Sequence, residues 1–150
     1  MAVFNGYGEI VKQLLKFKAN PNIKNRQGST ALHKAATHIR ENVEIVEELL
    51  KHGANINVQN KNGLTPLHCF ITISQWRKVN KRKISRKSEL HLKTLLNAPD
   101  INLSIRCNGG STALEMAIQH RMVHVARMIA IKALPKPKIS GSIYPLKKLL

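Results

Sequence analysis

The sequence predicts an all-α repeat chain in which each unit is a tight turn followed by two helices, and two recurring motifs carry that prediction. The first is Gly63-Leu64-Thr65-Pro66-Leu67-His68, which returns as Gly28-Ser29-Thr30-Ala31-Leu32-His33 and as Gly110-Ser111-Thr112-Ala113-Leu114-Glu115. Glycine allows the positive φ of a tight turn, threonine is a good N-cap, and proline or alanine suits the first helical position. Each copy therefore reads as turn, cap and helix start. The second motif, Glu-Ile-Val-x-x-Leu-Leu, spans Glu9 to Leu15 and again Glu44 to Leu50. Ile10, Val11, Leu14 and Leu15 give it the i, i+1, i+4, i+5 apolar spacing of a helix. An Ala-Asn-x-Asn follows each time, at Ala19 to Asn22 and at Ala54 to Asn57.

These linked motifs resemble the ankyrin repeat family, whose period is roughly 33 residues and whose signature is Thr-Pro-Leu-His. The resemblance covers Gly6 to Ala130. It implies an ankyrin-repeat solenoid of about 3.5 repeats, stacked helix-turn-helix units joined by short β-turn or hairpin connections. Residues 1–134 form the array: a partial repeat at 1–24, a repeat at 25–59, a repeat at 60–102 with a basic insertion near 74–88, and a degenerate repeat at 103–134. Residues 135–150 are expected to be a flexible basic tail, the alternative being that Ile143, Tyr144, Leu146, Leu149 and Leu150 cover the last repeat.

In chain order, residues 1–24 start in the middle of a repeat, with a second helix and no first. Such an end leaves an apolar face without a polar capping unit. Lys18 stands where a glycine is expected at the helix end, which weakens that cap. The next repeat is nearly complete: Leu32, Ala35 and Ala36 mark a short first helix, Ile45, Val46, Leu49 and Leu50 the second, and Gly53 the stop. In the third, Cys69, Phe70 and Ile71 replace the usual small residues, so that helix must pack with more bulk or sit further out. About 13 inserted residues then precede Leu92, Leu95 and Leu96, and insertions in a solenoid map to loops on one face. The fourth keeps Thr112, Ala113 and Leu114, with Ala117, Ile118, Val125, Ile129 and Ala130 as apolar positions. Pro135 and Pro137 stop any further helix.

Lysine and arginine number 25 against 8 acidic residues, a formal charge of +17. Its density peaks in the middle, where residues 74–98 hold eight basic residues and one acidic one. Such an excess favours acidic proteins, nucleic acid or anionic membrane as partners. Cys69 and Cys107 are isolated, as in reduced cytosolic-type chains. No apolar run is long enough to span a membrane and no secretory leader is apparent. The expected location is the cytoplasm, with the nucleus and delivery into a host cell as alternatives.

Three groups of residues bear on chemistry. Arg77, Lys78, Lys81, Arg82, Lys83, Arg86 and Lys87 crowd the insertion beside Trp76. This basic patch reads as a solvated loop, as a nuclear-import signal or as a phosphate-binding surface. His120 and His124 have a metal-compatible spacing but straddle an interhelical turn and lack further ligands nearby. His33 and His68 are expected to tie adjacent repeats together, as the resemblance implies. No Gly-x-Ser-x-Gly, phosphate-cradling loop or His-Glu-x-x-His is present, and Asp100 is the only aspartate. The expectation is no enzyme, no cofactor and no metal.

The resemblance implies protein binding on a concave surface built from turn tips and the exposed side of first helices. The positions matching that surface are Arg26, Gln27, Ser29, Thr37 and His38, then Lys61, Asn62, Leu64, Thr72 and Ile73, and finally Ser111, Gln119 and His120. Arg26 and Lys61 make the surface mildly basic and suit an acidic partner protein. The chain is expected to act as a monomer. Two alternatives are binding of nucleic acid or an anionic surface through residues 77–87, and a degenerate fragment of a longer array.

Overall fold

The computed structural model describes residues 8–38, 43–78 and 85–134, with the side chains of 74–78 left aside. Seven helices are found among them: α1 (Gly8–Lys16), α2 (Ala31–Thr37), α3 (Val43–Lys51), α4 (Pro66–Lys78), α5 (Arg86–Leu96), α6 (Ala113–Gln119) and α7 (Val123–Ala133). Two rows result. In one, α2 packs on α4 and α4 on α6; in the other, α1 packs on α3, α3 on α5 and α5 on α7. The rows face each other through the pairs α2 with α3, α4 with α5 and α6 with α7. This is the stacked helix-turn-helix array that the repeated motifs predict.

Between the rows lies one continuous core, from Val11 and Leu15 of α1 through Leu32, Ile45, Phe70 and Leu92 to Val125 and Ile129 of α7. No unit here could bury its apolar residues alone, because each face is completed by the next unit. Phe70 and Ile71 are fully buried, so α4 carries its extra bulk inside. Alanines at the register-equivalent positions, Ala35 and Ala36 in α2 and Ala117 in α6, give that bulk room on both sides. Large residues interdigitating with small ones keep the interior close-packed.

Three departures from the sequence reading concern local structure. The expectation of a loop over 74–88 is corrected at both ends, since α4 runs on to Lys78 and α5 starts at Arg86. Residues 67 to 97 contain neither glycine nor proline and are rich in lysine, arginine and leucine, so nothing breaks either helix there. Ser85 caps α5 by accepting the Ser88 N–H at 3.1 Å. Ile118 is exposed rather than buried, having no following unit to cover it among the described residues. Met122, which the periodicity did not select, is buried where the chain turns into α7. Trp76, Lys81, Arg82, Lys83 and the tail 135–150 lie outside what the structure describes.

Loops between units are fixed by repeated bonds. In each hairpin one residue donates its N–H across the turn and accepts from a glycine: Asn25 to Ser29 with Gly28, Asn60 to Leu64 with Gly63, Cys107 to Ser111 with Gly110, all between 2.8 and 3.0 Å. Asn22 bridges to the next unit, donating to Gly53 O (2.9 Å) and accepting from Asn55 N–H (2.8 Å). Asn57 repeats the bridge one unit on, with Asp100 O and Asn102 N–H, both at 2.8 Å. Lys18 does adopt the left-handed conformation of a helix stop, φ 60°, in the place that Gly53 fills after α3. A side chain there costs about 1–2 kcal/mol relative to glycine.

Among the described residues one buried side chain is unsatisfied. His91 of α5 is fully buried with its ring stacked on Phe70, centroids 5.7 Å apart, and neither ring nitrogen has a hydrogen-bond partner. Burial pushes its pKa down to about 4. An unpaired buried polar group costs on the order of 1–3 kcal/mol.

Two predictions follow from these contacts. The unfolded chain protonates His91 as pH falls through about 6.5, whereas the native chain resists until about 4, so stability is lost within that window. His33 and His68 shift in the same direction, through burial. Replacing His91→Leu should raise stability by about 1–3 kcal/mol at pH 7 and flatten the decline below pH 6.5, read by urea titration at several pH values. Gly63→Ala should cost about 2–3 kcal/mol, because φ is +71° and the new Cβ would sit 2.6 Å from the Asn108 nitrogen. Gly53→Ala, with equally positive φ but open space around it, should cost about 1 kcal/mol in the same assay.

Candidate functional site

The candidate surface is the row α2, α4, α6 together with the hairpin tips that precede each helix. Its positioning begins at the helix starts. Thr30 and His33 face each other, with His33 Nδ1 at 3.1 Å from the Thr30 nitrogen and 2.9 Å from its hydroxyl. The other ring nitrogen, Nε2, lies 2.9 Å from Leu64 O in the next unit. A carbonyl can only accept, so Nε2 carries the proton and Nδ1 is left to accept from Thr30. His68 repeats the arrangement, with Thr65 Oγ1 at 2.8 Å and Ser111 O at 3.3 Å. Burial holds both imidazoles below the ordinary histidine range, which favours this neutral form.

The third copy uses a carboxylate. Glu115 accepts the Thr112 N–H at 2.9 Å, and its own N–H donates to Thr112 Oγ1 at 3.2 Å, a complete capping box. Arg106 closes on the same carboxylate with two bonds, 2.8 and 3.2 Å. The Thr112 amide first, and Arg106 second, hold Glu115 below the usual carboxylate range.

The tips are joined to one another by backbone groups. Lys61 N–H donates to Gln27 O at 3.0 Å, and Asn108 N–H donates to Asn62 O at 3.1 Å. Asn108 Nδ2 adds a bond to Lys61 O at 2.9 Å. Arg26, Gln27, Lys61 and Asn62 therefore stand in line, exposed, on a braced ridge. Behind them Thr37 and His38 end α2, while Thr72 and Ile73 continue α4, all four half-buried. Thr72 Oγ1 donates to His68 O at 3.0 Å and lies 3.7 Å from Met116 Sδ of α6. Ser111 and Gln119 meet at 3.2 Å, and His120 is the C-cap of α6. Ser29 is turned inward, only 8 % exposed, and Leu64 is half-buried.

Carboxylates are divided unevenly between the two rows, while both rows carry cations, eight of them on α1, α3, α5 and α7. Five of the eight carboxylates lie on outer helices: Glu9 on α1, Glu44, Glu47 and Glu48 on α3, and Glu89 on α5. The row α2, α4, α6 and its tips carry Arg26, Lys34, Lys61 and Arg106, with Arg77 and Lys78 ending α4, and Glu115 is the single carboxylate there among the described residues, already bonded to Arg106. The sequence reading missed Arg106 and Lys34. Register would have found both, since Lys24, Gln59 and Arg106 occupy one hairpin position and Lys34 follows the signature histidine.

Comparison with family models gives a match over residues 1–73, to the family described as ankyrin repeats (3 copies). Residues 1–73 are thus similar to ankyrin repeats. The matched stretch takes in α1 to α3 and the start of α4, and the unit of α6 and α7 repeats the same turn and cap beyond it. A search of curated proteins gives no match. Ankyrin repeats are in general protein–protein interaction modules and are typically non-catalytic. No helix among the described residues is long and apolar enough to cross a membrane, and no group of three or more metal-ligating side chains is gathered among them. His124, half of the spaced histidine pair, lies 3.7 Å from Glu89 of α5.

Arg106→Ala should raise the Glu115 carboxyl toward its ordinary pKa while leaving part of the depression, because the Thr112 amide remains. Side-chain carboxyl NMR titration would measure it.

Proposed function

We propose that this ankyrin array is a non-catalytic module that binds an acidic partner protein across the ridge of hairpin tips and the exposed side of α2, α4 and α6. The observation that supports the proposal is the uneven division of carboxylates: five lie on the opposite row and one, Glu115, on this one, where it is bonded to Arg106. Complementary charge steers encounter and suppresses wrong partners more than it adds affinity. Arg26, Gln27, Lys61 and Asn62 make the first contacts, and Thr37, His38, Thr72, Ile73, Gln119 and His120 line the floor behind them. Arg106 flanks the ridge. Ser29, Leu64 and Ser111 shape the turns from beneath. The module works as a monomer inside a cell, in the cytoplasm.

A second reading is favoured by one observation. Arg86 and Lys87 are exposed in the first turn of α5, where the helix dipole disfavours cations. Helix stability does not account for them, which fits a role for the segment 77–87 in binding nucleic acid or an anionic surface.

A peptide array spanning a range of net charge, read with the full chain at increasing salt, separates the two. Acidic peptides should bind, and the double substitution Arg26→Glu with Lys61→Glu should weaken them at least tenfold, about 1.4 kcal/mol. Arg86→Glu with Lys87→Glu should leave them unchanged. The reverse pattern, with binding to RNA or phosphatidylserine vesicles lost in the second variant, would reject the proposal in favour of the other reading.

A further inference from the structure

The row α1, α3, α5, α7 changes character along its length. On α1 and α3, Lys12, Lys16 and Lys51 stand among Glu9, Glu44, Glu47 and Glu48, with Lys12 paired to Glu44 and Lys51 to Glu48. On α5 and α7, Arg86, Lys87, Lys93, Arg127 and Lys132 stand against one carboxylate, Glu89. Glu89 lies 2.8 Å from Lys93 and 3.7 Å from His124, a contact that sets the exposed sides of the two helices next to each other.

Exposed aliphatic side chains gather on that same half. Val123 and Ile131 of α7 are 78 % and 60 % exposed and Leu90 of α5 is 53 % exposed, whereas α3 exposes no large apolar residue. At helical spacing Val123, Arg127 and Ile131 share one stripe, and Arg86, Leu90 and Lys93 share another. Packing between units does not account for these aliphatics. Leu90 stands in the register of Glu9, Glu44 and His124, and Ile131 in that of Lys16, Lys51 and Asn97, all of them exposed. Both positions therefore face outward in every described unit.

Single exposed aliphatics are ordinary on a soluble chain. Aliphatics interleaved with cations on one face suit an anionic lipid interface, whose headgroups meet the charges while the boundary beneath them takes the apolar side chains. Nucleic acid fits this face less well, because α5 and α7 carry no aromatic side chain on which a base could stack. A second copy would bring the same excess of cations to the contact.

We propose that the exposed side of α5 and α7 docks the array on an anionic bilayer, with Leu90, Val123 and Ile131 entering the headgroup boundary and Arg86, Lys87, Arg127 and Lys132 meeting acidic headgroups. This goes beyond a charged segment at 77–87, since the aliphatic side chains of α7 share the binding. The hairpin tips belong to the other row, so a protein partner held there and the bilayer occupy different surfaces.

Cosedimentation of the full chain with phosphatidylcholine vesicles, with and without phosphatidylserine, tests the proposal. Only the anionic vesicles should bind. Val123→Ser with Ile131→Ser, and separately Arg127→Glu, should each weaken binding by about tenfold or more without altering thermal melting, because all three side chains are exposed. Lys51→Ser, at the place of Ile131 on α3, and Arg26→Glu with Lys61→Glu at the tips should leave it unchanged, since charges beyond about 8 Å are screened at physiological salt. Absence of binding to anionic vesicles would overturn the proposal. So would binding that Arg86→Glu with Lys87→Glu abolishes and the serine pair leaves intact, because charge at 77–87 would then suffice. A dimer dissolved by Ile131→Ser would overturn it as well. Acidic peptides should reach the vesicle-bound chain as they reach the free one, so losing the peptides alone would count against the tip surface and leave this face standing.

Discussion

The bond from a signature histidine to the next unit's carbonyl, His33 Nε2 to Leu64 O and His68 Nε2 to Ser111 O, is the contact on which the rest of this structure depends. One imidazole performs two tasks in it: Nδ1 satisfies the threonine at the helix start, and Nε2 fixes the neighbouring turn. Each helix start is thereby set against the hairpin that follows. Because the ring must stay neutral to accept on one side and donate on the other, burial serves function as well as stability. Stability in such an array is nearly a sum of unit terms and interface terms, and these bonds are part of the interface term.

The last unit shows what changes when the histidine is gone. Glu115 completes its own cap and takes Arg106 as partner, so its bonds stay within the unit instead of reaching onward. The asparagine bridge stops at the same end, since Ser104 stands in the register of Asn22 and Asn57. Those two replacements, with small alanines at 126 and 130 where α3 has Val46 and Leu50, make the α6–α7 unit different in kind from the others.

Much of the array was legible in the sequence because its devices are local. Glycine, threonine and the following leucine specify a turn and a helix start within six residues, and the stripe of Ile45, Val46, Leu49 and Leu50 specifies the helix after it. What sequence could not supply came from neighbours distant along the chain. The burial of Phe70 depends on alanines in two other helices, and the unpaired His91 depends on Phe70. Treating 74–88 as loop failed because register, which counts residues against a family pattern, says nothing about whether the extra residues extend a helix. Of the candidate surface, the exposed tips were legible from register alone. The inward turn of Ser29 and the uneven division of carboxylates between rows needed the packing of the helices to be seen.

The ridge of tips is held together by main-chain bonds, Lys61 to Gln27 and Asn108 to Asn62, with one side chain, Asn108, adding a bond to Lys61 O. Evolution can therefore rewrite Arg26, Gln27, Lys61 or Asn62 with little penalty to folding. At those four positions what is displayed and what is holding are different atoms, so the exposed chemistry there is free to drift faster than the architecture.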